Sequence, residues 1–305
     1  MRHSTTRRVL PVLAAGALLF AACGDDDSSS DSEDTAAPAD TEAPAETDAP
    51  AEETTGDCAA TIDDGVLTIA TGEPAFPPWV ENDAPESGEG FEAAVAYAVA
   101  EEMGYTGDSV VWVRTTFDQA IQPGAKSFDL NLQQYSITDE RKESIDFSLP
   151  YFTSNQAIVA LGGSAAEGAA SVDDLKGLKF GAQAGTTSLD FITEVIQPDQ
   201  EPFVYDDNVG AKAALEANQI DAAVFDLLTA LYVSAVEIEG SAVIGQFPVE
   251  AGATADELGI VLEKDSALTG CVDAAITAIT DSGELDEIRT TWLADNAGTP
   301  VISTE

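Results

Sequence analysis

The stretch from Leu130 to Phe152 reads LNLQQYSITDERKESIDFSLPYF. Leu130 and Leu132 alternate with Asn131 and Gln133, the two-residue period of a strand. The period then breaks. Ser136 and Thr138 are good N-cap residues, and Asp139 and Glu140 suit a first helical turn, where partial positive charge collects. Arg141 stands among these acids, and its planar fork of donors matches a carboxylate better than a lysine ammonium does. The plainer reading is a solvated arginine at a helix start. In an open α/β sheet, however, ligands bind outside the carboxyl ends of the strands, which is where Arg141 falls.

Outward from this stretch, segments alternate strand, helix, strand, which predicts an α/β protein with mainly parallel sheets. Strands are expected at 66–70, 109–114, 129–133, 156–161, 178–182, 221–225, 242–247 and 258–262. Helices are expected at 90–103, 117–121, 185–196, 208–217, 227–236, 266–281 and 284–294. The loop Glu73 to Trp79 is rigid, because its prolines fix φ and remove donors. Four features land at strand ends: Glu73, Arg141, the turn Gly185-Thr186-Thr187, and Asp226. One guanidinium, two carboxylates and a helix start facing one cleft are complementary to a zwitterion. Each has a plainer alternative, a simple N-cap for Asp226 and for Gly185-Thr187.

The run SITDER followed by IDFSLPY resembles the signature of the polar amino-acid-binding proteins of ABC transporters, the family-3 solute-binding proteins. Three further stretches match in order and spacing: LTIATGEPAFPPWV (67–80), LKGLKFGAQAGTTS (175–188) and ANQIDAAVFD (217–226). The resemblance spans residues 66–295. It implies a two-lobe periplasmic-binding-protein-like fold, with two doubly wound sheets joined by two crossover strands. Lobe one would comprise 58–154 plus about 250–305, and lobe two 155–249. It also implies hinge closure on an amino acid and delivery to an ABC permease.

By the same resemblance, Arg141 holds the ligand α-carboxylate, helped by the Ser136 hydroxyl and by donors around Thr187. Asp226 takes the α-ammonium with a backbone carbonyl near Gln134. Phe76, Trp79 and Phe117 wall the cleft, although core packing is the commoner fate of aromatics. Gln133 and Gln134 depart from the small residues the family carries there. Relatives for basic ligands carry an acid at the position of Glu73, so a polar or cationic side chain is expected. The protein is expected to be a monomer without metal, cofactor or catalytic residue. The rival readings are a dehydratase-like enzyme for small acids on the same fold, and a ligand-sensing lipoprotein without a transporter.

Residues 1–22 read as an export segment, with Arg2, Arg7 and Arg8 before an apolar run too short to span a bilayer comfortably. Its end, Leu19 to Cys23, resembles a bacterial lipobox with Phe20 where Leu is usual. Cys23 would carry lipid, anchoring the protein at the outer face of the cell membrane. Residues 24–57 hold thirteen acids and no base, the composition of an extended, self-repelling linker. The whole chain has 56 acids and 12 Lys and Arg, a net charge of −44. Removing the thirteen linker acids and the three leader arginines leaves 43 acids against nine bases, net −34. Such a charge excludes nucleic acid as a natural partner. The single histidine, His3, lies in the leader, so histidine triads and histidine metal sites are excluded from the exported domain. Cys58 and Cys271 remain, and two cysteines in an exported domain read as one disulfide.

Overall fold

The computed structural model describes residues 57–249, 254–293 and 298–304. The leader, the lipobox with Cys23 and nearly all of the linker lie outside the described residues. In chain order the elements are β1 (Leu67–Thr71), α1 (Phe91–Glu102), β2 (Val110–Arg114), α2 (Phe117–Ile121), β3 (Leu130–Asn131), α3 (Asp139–Lys142), β4 (Ile145–Ser154) and β5 (Gln156–Leu161). There follow β6 (Phe180–Gln183), α4 (Thr187–Phe191), β7 (Phe203–Tyr205), α5 (Asn208–Glu216), β8 (Ala222–Asp226), α6 (Leu227–Tyr232), β9 (Ser241–Phe247), β10 (Asp256–Glu263), α7 (Thr269–Asp281) and α8 (Glu284–Trp292).

The strands form two five-stranded sheets, ordered β2-β1-β3-β10-β4 and β7-β6-β8-β5-β9. In the first, β1 pairs parallel with β2 and β3, while β10 runs antiparallel to β3 and β4. The second repeats the plan, with β6 parallel to β7 and β8, and β5 antiparallel to β8 and β9. Both sheets are therefore mixed rather than mainly parallel. The chain crosses from one to the other where β4 passes into β5, and returns into β10. At that junction Gln156 Nε2 donates to Asp256 Oδ2 at 2.6 Å, tying the two crossings together.

Period-two patterning explains why the second sheet is covered on both faces. Along β5, Ile158 and Ala160 join a core with Phe180, Ile192 and Phe247, while Ala157 and Val159 face a second core with Leu215, Phe225 and Val233. In the first lobe, Phe91, Val95 and Val99 recur at helical spacing on α1 and pack on Leu67, Ile69, Ile260 and Ile276. The expected strand at 129–133 shrinks to β3, because the chain turns away at Gln134, whose φ is +51°. The edge strand β7 escaped the sequence reading; its Phe203 and Val204 are exposed and alternate with nothing buried.

The end of the chain departs from the expected lobe boundary. Gln246 N donates to Pro300 O, Ile302 N to Gln246 O, and Val172 N to Ser303 O, so residues 300–303 line the outer edge of the second sheet rather than belonging to lobe one. Ile302 is fully buried, and a Cβ on Gly245 would lie 2.5 Å from its Cγ1, so that glycine makes its room. Ile302→Ala is expected to cost about 2–5 kcal/mol, the range for a buried large-to-alanine change. Urea unfolding measures it; a loss under about 0.5 kcal/mol, the size of an ordinary surface change, would mean the tail does not contribute to the core.

Cys58 and Cys271 are joined, with Cα atoms 5.6 Å apart and a sequence separation of 213. Beside the bridge, Tyr105 OH donates to Cys58 O at 2.7 Å.

Candidate functional site

The cleft between the sheets holds two adjoining cavities that share Phe117, Gln133, Gln134, Gln183 and Asn208. The inner one, about 60 Å³, is lined by Ser136, Arg141, Thr186, Thr187, Asp226 and Asp256 among others. The outer one, about 180 Å³, is lined by Glu73, Phe76, Thr115, Asp206 and Asp207 among others. Polar head and side chain of a small zwitterion could divide between them.

Arg141 is placed by the short helix α3, whose N-cap Thr138 accepts from the Arg141 amide at 3.2 Å. The residue is 9% exposed, and its guanidinium donates to the Ser136 carbonyl (2.7 Å) and the Gly185 carbonyl (2.8 Å) and lies 5.5 Å from the Phe117 ring centre. Among the described residues no carboxylate pairs with it. Burial pushes its pKa down from the ordinary value, opposed by Tyr135, Asp256, Asp190 and Glu140. An arginine nevertheless stays protonated in a protein. The cleft therefore presents a desolvated cation whose protein partners are neutral carbonyls, and an anion would complete its shell.

The facing wall comes from lobe two. Thr186 caps α4, accepting from Leu189 N and donating to Gln183 O. Gly185 precedes it at φ +68°, a conformation that favours glycine, and its carbonyl reaches Arg141. Thr187 Oγ1 lies 3.2 Å from Ser136 Oγ, a contact between the lobes. Asp226 is the N-cap of α6, where one oxygen accepts from Thr229 N at 3.0 Å. The capping reading and the ligand reading thus coexist, since a carboxylate has a second oxygen. Burial raises the Asp226 pKa to about 6, against hydrogen bonds from Thr229 that lower it.

Phe76 and Phe117 line the outer cavity. Phe76 also accepts the Lys212 ammonium of lobe two at 3.9 Å from its ring centre, and that ammonium pairs with Glu237 at 2.5 Å. Trp79 is a correction. It is 1% exposed and packs on Phe91 and Phe152, and its Nε1 donates to Thr229 Oγ1 at 3.0 Å, so it joins the lobes from the core and faces neither cavity. Gln133 Oε1 accepts from Tyr135 OH at 3.0 Å. The side-chain nitrogen of Gln134 is committed to Glu92 at 2.5 Å, so it is not free to read a ligand.

Sequence reasoning missed several residues here. Asp206 and Asp207 look like loop acids, and only the fold brings them opposite Glu73. Gln156 looks like a strand residue, but it donates to Thr187 and Asp256 and accepts from Ser188. Glu92 looks like an ordinary first-turn acid, yet it is 1% exposed.

Two lobes that place an unpaired buried cation and a carboxylate on opposite walls of a cleft are the design of a bilobal small-molecule receptor. Residues 67–295 match the family of bacterial extracellular solute-binding proteins, family 3, and the chain belongs to it. It is 30% identical to the L-arginine-binding protein of Pseudomonas aeruginosa over 71% of this chain and 84% of that one. It is 29% identical to the L-cystine-binding protein TcyJ of Escherichia coli K12, over 75% of this chain and 82% of that one. Among solved structures, an ancestral arginine-binding protein bound to arginine superposes with a TM-score of 0.62 at 29% identity, covering 75% of this chain and 99% of that one. No helix among the described residues is long and apolar enough to cross a membrane.

Proposed function

We propose that the protein is an extracytoplasmic receptor that closes on a free L-amino acid, with a cationic side chain preferred, and delivers it to an ABC permease. Arg141 takes the α-carboxylate, with Ser136 and Thr187 beside it; Asp226 and the backbone carbonyl near Gln134 take the α-ammonium. The observation that carries this reading is the buried guanidinium without a carboxylate, set across the inner cavity from Asp226. Each lobe contributes half of the ligand's partners, so closure and binding favour one another. A micromolar complex needs about −8 kcal/mol, which a few charge-assisted hydrogen bonds at about 1.5–3 kcal/mol each can supply in a desolvated cleft.

The side-chain preference rests on the outer cavity, where Glu73, Asp206 and Asp207 meet two aromatic rings. These acids favour an ammonium or guanidinium and repel a carboxylate. Lipid attachment at Cys23 and the acidic linker would hold the receptor near its permease. A receptor reading is favoured over a catalyst because the two charged groups that face each other across the inner cavity, Arg141 and Asp226, are both accounted for by a zwitterion's head group.

A thermal-shift panel of the twenty L-amino acids, followed by calorimetry at two salt concentrations, tests the assignment. Arginine, lysine or histidine is expected to bind tightest, with glutamine behind. Tightest binding by glutamate, aspartate or leucine would overturn the side-chain reading.

A further inference from the structure

We propose that Glu92, a carboxylate sealed behind the cleft wall, is a positioning residue of the ammonium subsite and makes amino-acid capture release a proton. This rests on the amino-acid reading above and extends it to a residue outside the cavities.

Glu92 sits in the first turn of α1, faces inward and is 1% exposed. Its Oε1 accepts from Gln134 N at 2.8 Å and from Tyr151 OH at 2.5 Å, and its Oε2 accepts from Gln134 Nε2 at 2.5 Å. Gln134 holds φ at +51°, a left-handed conformation that is unfavourable for a residue with a Cβ. Such a conformation persists where its surroundings over-determine it. Here one carboxylate grips both the backbone amide and the side chain of Gln134, and Gln134 lines both cavities. Glu92 therefore sets the orientation of the peptide whose carbonyl meets the ligand ammonium.

The charge of Glu92 matters as well as its hydrogen bonds. All three donors are neutral, and among the described residues no lysine or arginine forms a salt bridge with it. The groups that act on it are Tyr151 of β4, Gln134 in the turn after β3, and Asp226 across the cleft. Tyr135, beside Gln134, couples to it too, and Asp256 of β10 acts on Asp226. Burial pushes both tyrosines well above their ordinary range, so neither carries charge at neutral pH. Burial also raises Glu92 to about 7, partly offset by Tyr151 and Gln134.

The sign follows. Below pH 7 the unliganded cleft holds Glu92 largely neutral, and an arriving ammonium favours the ionised form, so binding lowers its pKa and expels a proton. Affinity therefore rises with pH through the Glu92 midpoint near 7 and through that of Asp226 near 6. A coupling of one pKa unit corresponds to about tenfold in affinity.

Calorimetry of the full-length protein with L-arginine and with L-glutamine, in buffers of different ionisation enthalpy, counts the protons released. Wild type is expected to release protons at pH 7 and to weaken about tenfold or more between pH 8 and 5.5. Glu92→Gln is expected to lose most of the release at pH 7 and to vary under about threefold between pH 8 and 6.5. Its remaining pH dependence, centred near 6, belongs to Asp226. If that variant does not fold, Tyr151→Phe provides the second test: removing one donor should move the affinity midpoint upward. Equal proton release and equal profiles in wild type and Glu92→Gln, or an unmoved midpoint in Tyr151→Phe, would overturn the proposal alone. No binding of any amino acid would overturn the amino-acid reading and this proposal with it.

Discussion

Arg141→Ala is expected to abolish measurable amino-acid binding while the unliganded protein stays folded. Truncating one partner of a buried, hydrogen-bonded charge pair costs about 2–5 kcal/mol, which is thirtyfold to several thousandfold in affinity. The effect falls at the upper end here, because Arg141 also donates to Gly185 across the cleft and so takes part in closure. Stability should change little, because the alanine variant loses two hydrogen bonds to carbonyls but no longer buries a charge without an anion. Arg141→Lys keeps the charge and loses the planar fork, so its affinity should lie between the two. Calorimetry with the best amino acid decides it; affinity within about threefold of wild type would remove Arg141 from the site.

Loss of the Cys58–Cys271 bridge is expected to give the largest stability change. The bridge closes a loop with a sequence separation of 213 residues. The chain-entropy model puts its contribution at about 5 kcal/mol, an upper figure because measured values often fall short. The amino-terminal segment is otherwise held near α7 by Asp57 N donating to Ala267 O and by Tyr105 donating to Cys58 O. Urea unfolding of Cys58→Ser/Cys271→Ser against the oxidised protein measures the difference. A loss below about 1 kcal/mol would mean that these contacts suffice without the bridge.

The residues that were legible in the sequence are those whose chemistry and local position agree. Arg141 and Asp226 are charges at strand ends, and Gly185 with Thr186 is a turn running into a cap. Each is recognisable within a few residues, and the α/β class follows from the strand–helix alternation, while the division into two lobes rested on the family resemblance. What stayed hidden depends on contacts between distant segments. Glu92 and Gln134 are 42 residues apart and Glu92 and Tyr151 are 59 apart, so nothing near Glu92 marks it as buried. Trp79 looks like a cleft aromatic until its indole finds Thr229, 150 residues away in the other lobe. The mixed character of both sheets was hidden for a related reason. β10 reads as one more apolar strand, and only the return crossing makes it antiparallel to β4. Ile302 reads as tail, because its pocket is an absence of side chain at Gly245.

The central claim is that the two lobes read the two ends of a zwitterion, Arg141 the carboxylate and Asp226 the ammonium. The most direct test is calorimetry of the wild-type protein with L-arginine, agmatine and Nα-acetyl-L-arginine, which share a guanidinium but lack neither head group, the carboxylate and the free ammonium, respectively. L-arginine is expected to bind at micromolar strength or better. Each analogue should bind at least about a hundredfold more weakly, since each strands a buried charge in the cleft. Agmatine or the acetylated analogue binding within about threefold of L-arginine would contradict the account.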